Sequence, residues 1–203
     1  MKRSKLELKL MAWFNVVMVI SIALFAMRSV EASNYSIFTH PKMHEIMDVR
    51  QVYDGDSVHV TVDRSFGGVK AYANISIRIY GIDTPERRGI QSPAGKLVAM
   101  ALQNYMAEVL KTQKLFMVSI TDDKYSGRAV GDIFWGDVTK QQSFSEYVVK
   151  HKLGFEYWGK TKKEFTEKEL RRIAKYCVEK MGVSREDFTD KEFSKLGWAA
   201  DYL

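Results

Sequence analysis

Apolar and polar positions alternate with a period of two along Ser57–Val62, where Val58, Val60 and Val62 interleave with Ser57, His59 and Thr61. The same period returns at Ile75, Ile77 and Ile79, set against Ser76, Arg78 and Tyr80. A strand points successive side chains to opposite faces, so both runs read as half-buried β-strands with Arg78 on the polar face. β character starts near Met47, and Gly67-Gly68 marks a turn between the two runs, which together predict a strongly bent meander. From Gly95 to Lys111 the period lengthens: Leu97, Val98, Ala101, Leu102, Tyr105, Met106, Val109 and Leu110 form one helical stripe. Leu115–Thr121 and Ala129–Trp135 read as two further strands. Ser143–Lys150 reads as a short helix. Thr161–Met181 reads as a longer one, with Phe165, Leu170, Ile173, Ala174, Cys177 and Val178 on one side and Gly182 as its stop. Five strands with a helix between the third and fourth is the order of an OB-fold, so the predicted class is α+β, a five-stranded β-barrel with helices and a C-terminal helical extension.

The N-terminal pattern is different in kind. Residues 1–9 are basic, residues 10–27 carry no charge, and a small residue, Ala32, follows Arg28. This order predicts a signal peptide over residues 1–32, with a retained membrane anchor in residues 10–27 as the alternative. Either reading puts the folded part outside the cytoplasm, as a secreted or periplasmic protein or as an anchored one facing outward. Residues 33–44 read as a linker, 45–160 as the barrel domain and 161–203 as the extension.

Charge and cysteine usage narrow the chemistry. Five of the 31 basic residues and two of the 25 acidic ones fall in residues 1–33, so half of the formal +6 belongs to the leader. The remainder is mildly basic, which permits a polyanionic partner without requiring one. One cysteine, Cys177, excludes an intramolecular disulfide and a Cys-cluster zinc site. It lies on the apolar stripe of a helix and reads as core. The four histidines do not cluster in sequence, which argues against a His-based metal site. The charged run Lys160–Arg172 reads as a solvated helix face.

Three clusters carry chemistry. In Asp54-Gly55-Asp56, carboxylates at i and i+2 of an extended chain point to one side, and a bound hard cation would relieve their repulsion. Taken alone, the triplet also fits a solvated turn. In the stretch from Arg78 to Glu86, Pro85 biases Thr84 toward an extended conformation between Asp83 and Glu86. A strand-borne arginine, an oxygen cluster and a free carboxylate are the parts of a phosphodiesterase. Asp123-Lys124-Tyr125-Ser126-Gly127-Arg128 is a polar inter-strand loop that delivers cations and an aromatic ring.

The order of these three clusters resembles the staphylococcal nuclease (thermonuclease) family over roughly residues 45–160. The resemblance implies that Asp56 and Asp83 ligate Ca²⁺ by their carboxylates and Thr84 by its carbonyl, with Asp54 behind them. It implies that Glu86 orients or deprotonates the attacking water, and that Arg78 and Arg128 hold the scissile phosphate. Lys124 and Tyr125 resemble contacts to a terminal phosphate, and Tyr157 resembles an aromatic at the base pocket. Ser126 is one residue more than the family's usual Asp-Lys-Tyr-Gly-Arg, and Arg128 is retained as the second arginine. The implied activity is calcium-dependent hydrolysis of DNA and RNA at the P–O5′ bond, leaving 3′-phosphates, with no protein partner predicted. A catalytically inactive OB-fold module that binds nucleic acid is the alternative.

Overall fold

A computed structural model describes residues 43–122, 128–136, 140–159 and 161–203. The leader, with its signal or anchor, lies outside the described residues, as do Lys124, Tyr125 and Ser126. Five strands form the barrel: β1 (Met43–Asp54), β2 (Ser57–Asp63), β3 (Tyr72–Ile79), β5 (Leu115–Asp122) and β6 (Arg128–Trp135). β1 pairs antiparallel with β2 and β5, β2 with β3, and β5 with β6. A parallel pairing of β3 with β6 closes the ring. Barrel closure leaves no unpaired edge around the core. β1 begins at Met43, so the last two residues expected in the linker belong to the sheet.

The alternating residues face as expected. Val58, Val60, Val62 and Ile77 are fully buried inside the barrel, and Ile79 is nearly so. β1 does not alternate. Its buried residues Ile46, Val49 and Val52 are spaced by three, because register shifts interrupt its pairing with β2. Each bulge adds a residue and bends the strand, which lets β1 serve two neighbours around a tight barrel. Gln103 repairs part of this irregular backbone. Its amide accepts from the Val52 N–H at 2.6 Å and donates to the Val49 carbonyl at 3.2 Å.

Gln103 belongs to α1 (Ser92–Thr112), the predicted helix, which buries Leu97, Val98, Ala101, Leu102 and Met106 against the barrel. A short β4 (Gly81–Asp83) precedes α1 and pairs antiparallel with β8 (Phe155–Tyr157). β7 (Gln142–Ser143) and α2 (Phe144–Lys150) lie between β6 and β8. Ser143 caps α2 by accepting from the Glu146 N–H.

The long C-terminal helix starts later than its polar pattern suggests. α3 spans Glu167–Met181, not Thr161–Met181. Thr166 caps it, and Glu169 reaches back to the Thr166 N–H at 2.9 Å, so the first turn is closed there. Residues 161–165 are therefore an approach segment and not a solvated helix face. Leu170, Ile173, Ala174 and Cys177 pack into the common core. Residues 161–203 thus belong to the same compact unit, which covers His40–Leu203. Beyond α3 come a 3-10 turn (Arg185–Asp187), the one-turn α4 (Asp190–Phe193) and a 3-10 segment (Gly197–Tyr202). Leu196 is fully buried and Trp198 half-buried, with Arg171 of α3 4.9 Å from the Trp198 ring.

Candidate active site

The carboxylates and Arg78 meet at one end of the barrel because of register. Asp54 and Ser57 are partners across the β1–β2 turn, and Ser57 is in turn the partner of Arg78 on β3. The turn residue Asp56 is thereby brought against Arg78, which forms an ion pair with its carboxylate. The Arg78 guanidinium also donates to the Asp56 and Ile82 carbonyls, each at 3.2 Å, and stands 3.7 Å from Asp83 Oδ1. Asp56 Oδ2 accepts from the Thr84 N–H at 3.2 Å, which ties the turn to the Asp83-Thr84-Pro85-Glu86 corner.

Glycines let these pieces approach. A Cβ on Gly55 would lie 2.9 Å from the Thr84 side chain, and one on Gly95 only 2.3 Å from the Glu86 carbonyl oxygen. Gly154, just before β8, would clash with the Asp83 carbonyl at 2.5 Å. The corner is therefore seated on backbone from three sides, a fit that no larger residue permits.

Asp56 and Asp83 are each 5% exposed, and Thr84 is buried. Burial raises the Asp56 pKa above the ordinary carboxylate value, against the pull of Arg78 and the Thr84 N–H. Burial likewise raises that of Asp54, whose Oδ1 accepts from the Arg87 N–H at 3.1 Å. Thr84 Oγ1 is buried and accepts no hydrogen bond from the described residues, whereas Asp83 Oδ1, also buried, is met by cationic side chains. A buried carboxylate oxygen that already draws positive charge suits a cation that prefers oxygen ligands. Among the described residues, no group of three or more His, Cys, Asp or Glu side chains is placed to hold a metal. A cation here would rest on two carboxylates, completed by backbone oxygen and water.

One residue at the site was not anticipated. Lys162 Nζ lies 2.7 Å from Asp83 Oδ1 and 3.2 Å from Glu86 Oε1, and 5.9 Å from the Tyr157 ring centroid. Partial burial opposes the Lys162 charge, but Asp83 and Glu86 outweigh it and raise its pKa. Its only signal in sequence was membership of a charged run, which does not say where a side chain points. Glu86 itself is half exposed, and its N–H donates to Gln91 Oε1 at 3.1 Å.

The remaining predicted residues divide. Tyr157 is opposite Gly81 in the β4–β8 ribbon that carries Asp83, so it borders the same corner. Arg128 is the partner of Ser76, and Arg78 that of Val130, in a parallel ladder. The two arginines therefore share the outer face of adjacent strands, two positions apart, with Cα atoms about 8 Å from each other on standard strand spacings. The additional Ser126 precedes this ladder. Lys124 and Tyr125 lie outside the described residues.

A search of curated proteins found none that matches the chain. Residues 76–186 match the family described as staphylococcal nuclease homologue, from β3 with Arg78 through the corner, α1, β6, α2 and α3. That span is more than half of the sequence, and with the closed barrel it makes this chain a member of the staphylococcal nuclease family, whose domain is nuclease-related and takes nucleic acid as its substrate.

Proposed function

We propose that this chain is a calcium-dependent nuclease that hydrolyses the P–O5′ bond of DNA and RNA and leaves 3′-phosphates. The observation that carries the reading is the convergence of Asp56, Asp83, Arg78 and Glu86 on one glycine-seated corner. Asp56, Asp83 and the backbone of Thr84 would hold Ca²⁺, with Asp54 oriented behind them by the Arg87 N–H. When bound, the ion supplies positive charge that offsets the phosphodiester's own and stabilises the charge added on attack.

The protein's groups do the rest. Arg78 and Arg128 can grip two phosphate oxygens with planar forks that stay protonated. Arg78 is 20% exposed in its side chain, so a phosphate must share it with Asp56. Glu86, half exposed at the mouth of the site, would orient a water and accept its proton. Tyr157 would border the base. Lys124 and Tyr125 would contact a terminal phosphate. The leader pattern supports export of the folded part, with residues 10–27 its only membrane contact if the leader is retained; the mass of the mature chain tests this.

The decisive experiment follows cleavage of single-stranded DNA by the purified full chain, with Ca²⁺, with a chelator, and with Glu86→Gln. Loss of a water-activating carboxylate is expected to lower the rate by 10²–10⁴-fold. Folded protein that binds DNA and cleaves nothing with any divalent ion would leave the inactive binding module as the better reading.

A further inference from the structure

We infer that a basic cavity beside the reaction corner is a second phosphate subsite, one that holds the nucleic-acid backbone next to the scissile phosphate. This rests on the nuclease reading and extends it to how the substrate is gripped. The cavity has a volume of about 440 Å³. Its walls are the end of β1, the residues after Glu86, the start of α1 and the segment from Phe188 to Lys195.

Four cations line it: Arg87, Arg88, Lys96 and Lys195. Its one carboxylate, Glu192, caps α4, where its Oε2 accepts from the Thr189 N–H at 3.0 Å and the Thr189 hydroxyl at 2.7 Å, and its charge offsets part of that of Arg87 and Lys195. Among the described residues, none of the four cations pairs with a carboxylate. A chain whose folded part is near charge balance has thus gathered four cations against one carboxylate in a single recess, an excess of three positive charges. Lys96 registers the cost: burial, then the nearby Arg87 and Lys195, depress its pKa. An anion in the recess would relieve that repulsion.

The recess is also pre-ordered. Arg87 donates to the Tyr53 carbonyl at 3.1 Å, stands 5.4 Å over the Tyr53 ring, and holds Asp54 through its N–H. Lys96 Nζ donates to the Lys195 carbonyl, which fixes the C-terminal segment against α1. Half-buried Tyr53 adds an aromatic ring beside Arg87 against which a base can pack, while Phe188 is buried and backs the recess. Arg87 follows Glu86 directly, so the first cation of the recess is one peptide from the reacting corner. A neighbouring phosphate of the same strand is the anion that reaches both.

The test uses the full chain without cleavage, in chelator, and reads the binding of a fluorescent dT12 by anisotropy across a salt series. Arg88→Gln with Lys195→Gln removes two exposed cations of the recess and leaves Arg87 and Lys96 in place. Lys175→Gln with Lys180→Gln, on the exposed face of α3, matches the change in net charge. The recess variant is expected to lower the slope of log affinity against log salt by about 1.4, and affinity on the order of tenfold at 0.1 M salt. The α3 variant is expected to change neither. Equal losses in both variants, or none in either, would overturn the subsite. So would a melting rise with pyrophosphate that only the wild type shows, if both bind dT12 alike, because the recess would then take a free anion. Cleavage in Ca²⁺ is scored separately. A selective loss in a chain that cleaves nothing would retain the subsite and remove only the nuclease reading.

Discussion

Lys162 and a divalent ion want the same oxygens, so removing the lysine should tighten calcium binding. At 2.7 Å the Lys162–Asp83 attraction is about 6 kcal/mol before solvation, at an effective dielectric of 20. Asp83 is buried, but the Lys162 side chain is 49% exposed, and water and side-chain entropy offset most of that figure. Exposed pairs are worth up to about 1 kcal/mol and broken buried ones about 3–5 kcal/mol, so this mixed pair contributes about 1–2 kcal/mol. A calcium ion that displaces the ammonium gives up that amount. Lys162→Met is therefore expected to bind Ca²⁺ about 5- to 30-fold more tightly by titration calorimetry. In chelator the variant should melt lower, by about 3 °C for each kcal/mol lost. In saturating Ca²⁺ the difference should shrink or reverse, since tighter binding stabilises the folded state more. Unchanged calcium affinity, together with an unchanged melting temperature in chelator, would refute the reasoning and reduce the contact to a surface pairing.

Other parts of the fold make independent predictions. Asp132, buried on β6, has its carboxyl pKa pushed up to about 6 by burial, against bonds from Ser145 and the Ile133 N–H. The unfolded chain gives up this proton near its ordinary value of 3.8, so stability should fall by about 2 kcal/mol between pH 4 and pH 6. Urea unfolding of Asp132→Asn should lack that component of the slope. Gly95→Ala drives a methyl into the Glu86 backbone and should cost at least 2 kcal/mol in urea unfolding, despite alanine's better helix propensity. Cys177 is fully buried with its thiol pushed up to about 12, so an aromatic disulfide reagent should label it only after denaturant is added.

The elements legible in the sequence were those whose pattern is local. β2, β3 and α1 kept one period throughout and were read with their facing correct. β1 was legible only as vague β character, because its bulges space the buried residues by three where a regular strand would space them by two. α3 was extended too far toward its start, because lysines and glutamates before a capping threonine look like a helix surface. β4 and β8 have three residues each, and their pairing joins segments more than 70 positions apart, so no window of sequence could contain it. The corner from Arg78 to Glu86 was legible because one short stretch holds its parts, whereas Lys162 enters it from another part of the chain.

The two cation sets missed in sequence differ in what balances them, and this separates their roles. Lys162 faces Asp83, which would hold the metal, and Glu86, which would act on the water, so its charge is already matched and a cation at Asp83 must displace it. The recess around Arg87 and Lys96 has an excess of positive charge that Glu192 offsets only in part, so an incoming anion displaces water and counterions and no paired side chain. Lys162→Met should therefore shift calcium affinity and leave the salt slope of dT12 binding in chelator nearly unaltered. Arg88→Gln with Lys195→Gln should lower the salt slope and leave calcium affinity within about twofold, since long-range effects of exposed charges are screened at 0.1 M salt. If one variant moved both quantities strongly, corner and recess would form a single electrostatic site, and assigning metal competition to one and strand grip to the other would fail.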